Sequence, residues 1–215
     1  MATPELLEEV SRFQTWAASY PFASRSGEWE CDYGEWPALH LAVQQFLASK
    51  PFSSWSTEET RAVLYAIARD NEIEYLVRIV REEHAPLLVP LAHAARLMGE
   101  CDDRWQLADQ IGHLPLSHTG AEDVLVLLAA DEHEYVRRRA LGALARIGSA
   151  RAEGEAVRIW EIDHPQQEYA RMQCLWALHR VGSGQLEGYL IRAEADASHY
   201  LRAYADRVRR GLVDP

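Results

Sequence analysis

The chain has 215 residues, of which 48% are hydrophobic and 26% are charged, a composition that excludes an intrinsically disordered protein. Its formal net charge is −11, and residues 1–115 carry 18 Asp and Glu against 9 Lys and Arg. A negative field repels phosphate backbones and attracts basic surfaces, so we expect a basic protein partner and disfavour nucleic acid.

The first residues, MATPELLEEVSRF, are acidic and amphipathic, without the basic and apolar regions of a signal peptide. No segment approaches the roughly 18 apolar residues that span a bilayer. Cys31, Cys101 and Cys174 are widely separated and form no CxxC pair, which is typical of reduced core thiols. We therefore expect a cytoplasmic protein that does not contact a membrane, and a monomer.

An internal repeat organises most of the chain. In residues 121–149 an apolar segment is followed by the acidic turn 131–134 and then by an Ala- and Leu-rich segment that ends at Gly148. The order of turn, aromatic residue and apolar segment recurs at intervals of 30, 30, 34 and 31 residues, at Tyr75, Trp105, Tyr135, Tyr169 and Tyr200. Trp36 is an earlier, irregular member. Such spacing accommodates two helices of about 12 residues and two short turns.

The hydrophobic periodicity predicts an all-α fold of about six helix pairs without a β-sheet. In chain order the predicted helices are 4–19 and 36–49, 57–69 and 71–83, 86–99 and 103–112, 119–130 and 133–147, 151–161 and 166–181, and 185–194 and 198–211. Residues 20–35 are predicted to form an ordered loop in which Trp29 and Tyr33 are at least half buried. Ser56 is predicted to cap the third helix.

The segment DEHEYVRRRALGALARIG resembles the second half of a HEAT repeat, in which a turn Asp and a Val-Arg pair precede an Ala/Leu-rich helix. Here these residues are Asp131, Val136 and Arg137, and EYARMQCLWALHRVG is a weaker copy with Ala170 and Arg171. The resemblance is good over 119–212, extends over 57–115 and is poor over 1–50. It implies a small bacterial HEAT-like solenoid of the PBS-lyase type.

That resemblance implies a right-handed αα superhelix that forms one domain over residues 1–215. Residues 1–56 would be an irregular helix pair with its loop, and 57–212 the regular repeats. In such solenoids the repeat Arg, here Arg137, Arg171 or Arg202, pairs with an Asp of a neighbouring turn. HEAT motifs indicate architecture and not function.

Stacked repeats place every turn between paired helices along one edge, so the acidic turns predict an acidic, aromatic binding edge. Acids steer a basic partner, and aromatic residues anchor interfaces, with Trp105 expected as an exposed central anchor. In the alternative interpretation, the acids cap helices and the aromatics seal the core. The candidate binding residues are Glu28, Trp29, Glu30, Asp32, Tyr33, Trp36, Asp70, Glu72, Glu74, Tyr75, Asp102, Asp103, Trp105, Glu132, Glu134 and Tyr135.

An enzymatic alternative rests on Trp105 and Asp109, which lie one helical turn apart. The pair is similar to one in the HEAT-like DNA glycosylases of the alkylation-repair family, where an aromatic residue and an acid flank a lesion. This resemblance implies a basic groove with Trp105 and Asp109 at its floor. An acidic groove would instead favour protein binding.

Other chemistry is not indicated by the sequence. The single pair His133-Glu134 is too little for the iron site of the HEAT-like deoxyhypusine hydroxylases. Phosphate-binding loops, nucleophile elbows and triad orders are absent from the sequence. We expect a non-enzymatic protein-binding module without cofactor or metal, in its most specific form an immunity protein that inhibits a basic toxin.

Overall fold

The computed structural model describes residues 3–25, 29–162 and 167–213, and this part of the chain is helical without β-strands. The prediction of an all-α fold is confirmed. No helix among these residues is long and apolar enough to cross a membrane. The α-helices are α1 (Thr3–Ala18), α2 (Trp36–Ser49), α3 (Thr57–Arg69), α4 (Tyr75–His84), α5 (Leu88–Met98), α6 (Cys101–Ile111), α7 (Ala121–Ala129), α8 (Glu134–Arg146), α9 (Arg151–Trp160), α10 (Gln167–Arg180), α11 (Leu186–Glu194) and α12 (His199–Arg209).

The largest difference from the predicted helices is at the start of α4, which begins at Tyr75 instead of residue 71. The Asp70 carboxylate accepts a hydrogen bond from the backbone N–H of Leu76 at 2.7 Å. Glu74 adopts a left-handed conformation with φ 51°, which a helix cannot contain. Residues 71–74 therefore form a turn that Asp70 closes.

The predicted cap of α3 is confirmed and is a complete capping box. The Ser56 hydroxyl accepts from the backbone N–H of Glu59, and the Glu59 carboxylate accepts from the backbone N–H of Ser56 at 2.7 Å. Lys50 also donates to both carboxylate oxygens of Glu59, at 2.7 and 2.8 Å. Glu59 is buried, and its one carboxylate satisfies both the helix start and the partly exposed ammonium of Lys50.

The chain divides into two compact units, Met1–Leu107 and Ala108–Pro215, with the division inside α6. In the first unit α1 packs on α2 and α3, α2 on α4, and α3 on α5. In the second unit α7 packs on α8, α9 on α10, and α11 on α12, while α8, α10 and α12 form a continuous row. Each unit thus consists of helices packed in neighbouring pairs. The single superhelix over the whole chain stays a prediction.

The N-terminal loop is anchored by aromatic packing in the first unit. Tyr33 is 5% exposed and meets Phe13 edge-on with ring centroids 4.7 Å apart. Trp29 stacks on Trp16 at 5.6 Å and is partly buried. The predicted burial of Trp29 and Tyr33 is confirmed, whereas Glu28 lies outside the described residues.

The repeat arginines bind turns in the second unit. Arg137 donates to the backbone carbonyls of Asp131 and Glu132, both at 2.8 Å. Arg171 forms an ion pair with Asp196 at 2.6 Å, which confirms the predicted pairing with a neighbouring turn at that position. At Arg137 and Arg202 the pairing prediction is wrong, because each guanidinium binds backbone carbonyls of the preceding turn and not an Asp carboxylate.

Candidate functional site

The acidic turns of the first unit converge on one guanidinium, that of Arg69. Arg69 lies 3.5 Å from Glu30, 2.5 Å from Glu100 and 3.8 Å from Asp102, measured between guanidinium nitrogens and carboxylate oxygens. These acids come from the 3₁₀ turn Trp29–Asp32, from the residue before α6, and from α6. We call these four residues the Arg69 cluster. It brings together acids that are separated by about 70 positions in the sequence, as stacked repeats require.

Glu30 is the enclosed member of the Arg69 cluster and is only 3% exposed. Its Oε2 accepts no hydrogen bond from the described part of the chain. Burial raises the pKa of Glu30, with Asp102 and Glu72 acting in the same direction, while a backbone hydrogen bond and Arg69 lower it. The site therefore holds a carboxyl whose negative charge is only partly compensated.

A row of rings lies next to this carboxyl. The Trp36 indole N–H donates to the Glu30 backbone carbonyl at 2.9 Å, which fixes the ring. His40 lies between Trp36 and Tyr75, with ring centroids 5.2 and 4.7 Å away. The His40 Nε2 is 3.4 Å from Asp70 Oδ1. The predicted association of aromatics with acidic turns is thus present at Trp36 and Tyr75.

A cavity of about 190 Å³ lies beside Trp36. Cys31, Glu72 and Ile73, which are exposed, border it, whereas Glu30 and Asp70 are buried. We call it the Trp36 cavity. Its lining residues are Glu30, Cys31, Trp36, Arg69, Asp70, Glu72 and Ile73. Three carboxyls against one guanidinium give the cavity an acidic lining.

Asp103 and Trp105 belong to the interior of the first unit. The Asp103 carboxylate accepts from the backbone N–H of Glu100 at 2.8 Å, and burial raises its pKa to about 8. Trp105 is 6% exposed, and its indole N–H donates to Asp102 at 3.1 Å. The expectation that Trp105 is an exposed anchor is wrong, because this face of α6 packs inward.

The remaining predicted residues differ in exposure. Asp32 is exposed, as is the neighbouring Glu35, while Glu74 is half-buried. In the second unit, the Glu132 side chain is 82% exposed, whereas Glu134 is buried and pairs with Arg138 at 3.0 Å.

Tyr135 is half-buried between two guanidinium groups. Its ring centroid is 4.7 Å from the Arg138 guanidinium carbon and 5.2 Å from that of Arg139. These cation–π contacts account for its position by intramolecular packing. The acidic-edge prediction therefore depends on the exposed acids and not on all sixteen candidates.

Asp109 lies in a second cavity, of about 210 Å³, within the second unit. Its Oδ1 is 2.7 Å from Arg146 and 3.6 Å from Arg139. Three arginines against one carboxylate make this cavity basic. Trp105 is not part of it, and the lining residues are Asp109, Arg138, Arg139, Gly142, Arg146, Gln173, Trp176 and Tyr204.

Arg69 and Arg146 are the residues that sequence reasoning missed. The HEAT-like pattern gives neither of them a role, but each is a cation in the last turn of a helix, a position from which it can reach acids of the adjacent repeat. Among the described residues, no three His, Cys, Asp or Glu side chains are grouped closely enough to hold a metal ion.

A search against protein-family models found no match, and a search of the curated proteins found none either. The HEAT-like resemblance stays a prediction.

Proposed function

We propose that the protein is a binding module that uses the acidic side chains of its first unit to bind a basic protein. The observation that carries this proposal is the Arg69 cluster, which joins acids of successive turns around a single cation. The first unit also carries exposed carboxylates, namely Asp32, Glu35 and Glu72. A surface of this sign attracts basic partners over about one Debye length, or roughly 8 Å at physiological ionic strength.

Exposed apolar surface at the same place supports a binding role. Ile73 is 59% exposed and lies between Glu72 and the half-buried Glu74. An apolar side chain ringed by charges is typical of an interface, in which the apolar part supplies affinity and the charged rim supplies specificity. In its most specific form the proposal makes this chain a cytoplasmic inhibitor of a basic toxin, an immunity protein.

The test starts with affinity capture from the source cell and continues with the purified partner. Replacing Asp32, Glu35 and Glu72 together by Asn or Gln should slow association several-fold at low salt and flatten its salt dependence, since exposed charges act mainly by steering. Asp70 is left intact because it closes the turn before α4. Surface plasmon resonance at three ionic strengths measures both quantities.

A charge-matched control separates a local effect from one of total charge. Replacing Glu8, Asp123 and Asp206, whose side chains are 68%, 76% and 59% exposed, changes the net charge by the same amount. Association of this control should be close to that of the wild type. Equal association rates for the test and control variants at low salt would contradict the proposal.

The basic cavity around Asp109 favours a second candidate function, that of a HEAT-like DNA glycosylase. A carboxylate among three arginines suits a site that holds a phosphodiester and stabilises positive charge developing on a sugar. The burial of Trp105 argues against it, because that indole would have to leave the core to meet a base.

The glycosylase candidate is tested by incubating the protein with a methylated DNA duplex and measuring released alkylated base. Activity lost in Asp109→Asn but kept in Asp123→Asn would favour the enzyme. Absence of release at stoichiometric protein would leave the binding module as the proposed function.

A further inference from the structure

The Trp36 cavity has the size of a single side chain. Its volume of about 190 Å³ is below the roughly 300–1,000 Å³ of small-molecule sites, while a liquid water occupies roughly 30 Å³. It opens where Cys31, Glu72 and Ile73 are exposed. The cavity can therefore admit a side chain from outside.

Its charge is negative and only partly balanced. Both oxygens of Asp70 face groups of this chain, one at the Leu76 N–H and the other 3.4 Å from His40. The guanidinium of Arg69 is shared among three carboxylates. Glu30 is one of the lining residues, and its buried Oε2 accepts no hydrogen bond from any residue that the structure describes. A buried carboxylate in this condition is a strong attractor for a cation.

The other walls suit an aliphatic chain that ends in a cation. The Trp36 ring is held by its hydrogen bond to the Glu30 carbonyl, and Ile73 adds an exposed apolar side chain to the lining. Lys and Arg bury their methylene groups against apolar surface while their charged ends find acids, and an indole face attracts such cations.

We infer that the Trp36 cavity receives one cationic side chain, Lys or Arg, of the basic partner. Glu30 and Glu72 supply the negative charge, and Trp36 with Ile73 supplies the apolar contact. The inference rests on the proposed function and deepens it by naming an anchor residue class on the partner. It makes Glu30 an affinity determinant, whereas the exposed acids determine the rate of association.

The test uses small cations in place of the partner. The ¹⁵N-labelled full chain is titrated at pH 8 with ethylguanidinium, with n-butylammonium and with the neutral isostere ethylurea, at constant ionic strength. The readout is the indole N–H resonance of Trp36, assigned by its loss in Trp36→Phe. A cation should shift it saturably with a Kd on the order of millimolar, as its few atoms allow. If ethylguanidinium binds more tightly, the anchor is Arg. If n-butylammonium binds more tightly, the anchor is Lys.

Cation affinity is then measured for Glu30→Gln and for Glu35→Gln. Glu35 is exposed and lies outside the cavity lining, so its variant is the control. Glu30→Gln should weaken cation binding about tenfold, the loss expected when a charged partner is removed, and Glu35→Gln should leave it within about twofold. If the spectrum shows that Glu30→Gln does not fold, Glu72→Gln, at an exposed position, becomes the deciding variant. It should weaken cation binding several-fold. An equal response to ethylurea, no saturable shift with either cation, or unchanged binding in the deciding variant overturns the inference.

Failure here is distinguishable from failure of the proposed function. If small cations do not enter but the partner still needs Asp32, Glu35 and Glu72 for fast association, only the cavity inference fails. If cations bind in the cavity while the test and control triple variants associate equally with the partner, the proposed acidic surface fails instead.

Discussion

Replacing Asp103 by Asn should remove the pH dependence that this residue imposes on stability. The carboxyl is 1% exposed, and burial raises its pKa from the ordinary 3.8 to about 8, against the opposing effects of the Glu100 N–H and Arg104. Between these values the folded chain holds a proton that the unfolded chain releases. Stability from this group is therefore complete below pH 3.8 and is lost as pH rises towards 8.

Asparagine is nearly isosteric, keeps an oxygen to accept from the Glu100 N–H, and does not titrate. From pH 5 to pH 8 the free energy of unfolding of Asp103→Asn should therefore rise by about 4 kcal/mol relative to the wild type, since one pKa unit corresponds to 1.36 kcal/mol. This is a large part of the total stability of a domain, roughly 5–15 kcal/mol.

Urea unfolding at several pH values measures the difference, and the ¹³C shift of the Asp103 carboxyl measures its titration directly. Asp102→Asn, which removes the adjacent and 39% exposed carboxyl, controls for general charge effects. A carboxyl that titrates below pH 5, or a stability difference that does not change with pH, would refute the reasoning. A confirmed result would remove Asp103 from the binding candidates, since a neutral buried acid cannot steer a partner.

Three further predictions follow from local contacts. Ser56→Ala should lower the free energy of unfolding by about 1 kcal/mol in urea titrations, because α3 loses its cap. Gly99→Ala should lower the free energy of unfolding by about 1–3 kcal/mol in the same assay, since the new Cβ would lie 2.5 Å from both carboxylate oxygens of Asp103. An unchanged free energy of unfolding would show that the turn relaxes. Cys31 is exposed, whereas burial raises the pKa of Cys174, so a thiol reagent followed by mass spectrometry should label the first and spare the second in the folded chain.

Helix positions follow from the sequence because they depend on local physics. Apolar residues at helical spacing, Ser56 before the acids of α3, and Gly148 with φ 74° at the end of α8 each act over a few residues. The repeat at about 30 residues likewise places the acids in turns. The start of α4 was missed because Asp70 bonds six residues onward, to Leu76, and so holds a turn where periodicity alone predicts helix.

Only tertiary structure decided which acids and aromatics are available to a partner. Asp103 and Glu134 are acids of the predicted binding edge, as are the exposed Asp32 and Glu72, yet both are buried. The aromatic Trp105 of the same predicted edge is buried as well. Their burial depends on packing from helices distant in sequence, a property that composition and spacing do not contain.

The same holds for the charge balance of the candidate site. Arg69 gathers acids from three segments of the first unit, and one buried Glu30 oxygen still accepts no hydrogen bond from the described residues. The sequence determined that the region would be acidic, since net charge needs no coordinates. The structure decided where that charge remains uncompensated, because compensation depends on distances of a few ångströms between side chains far apart in the chain.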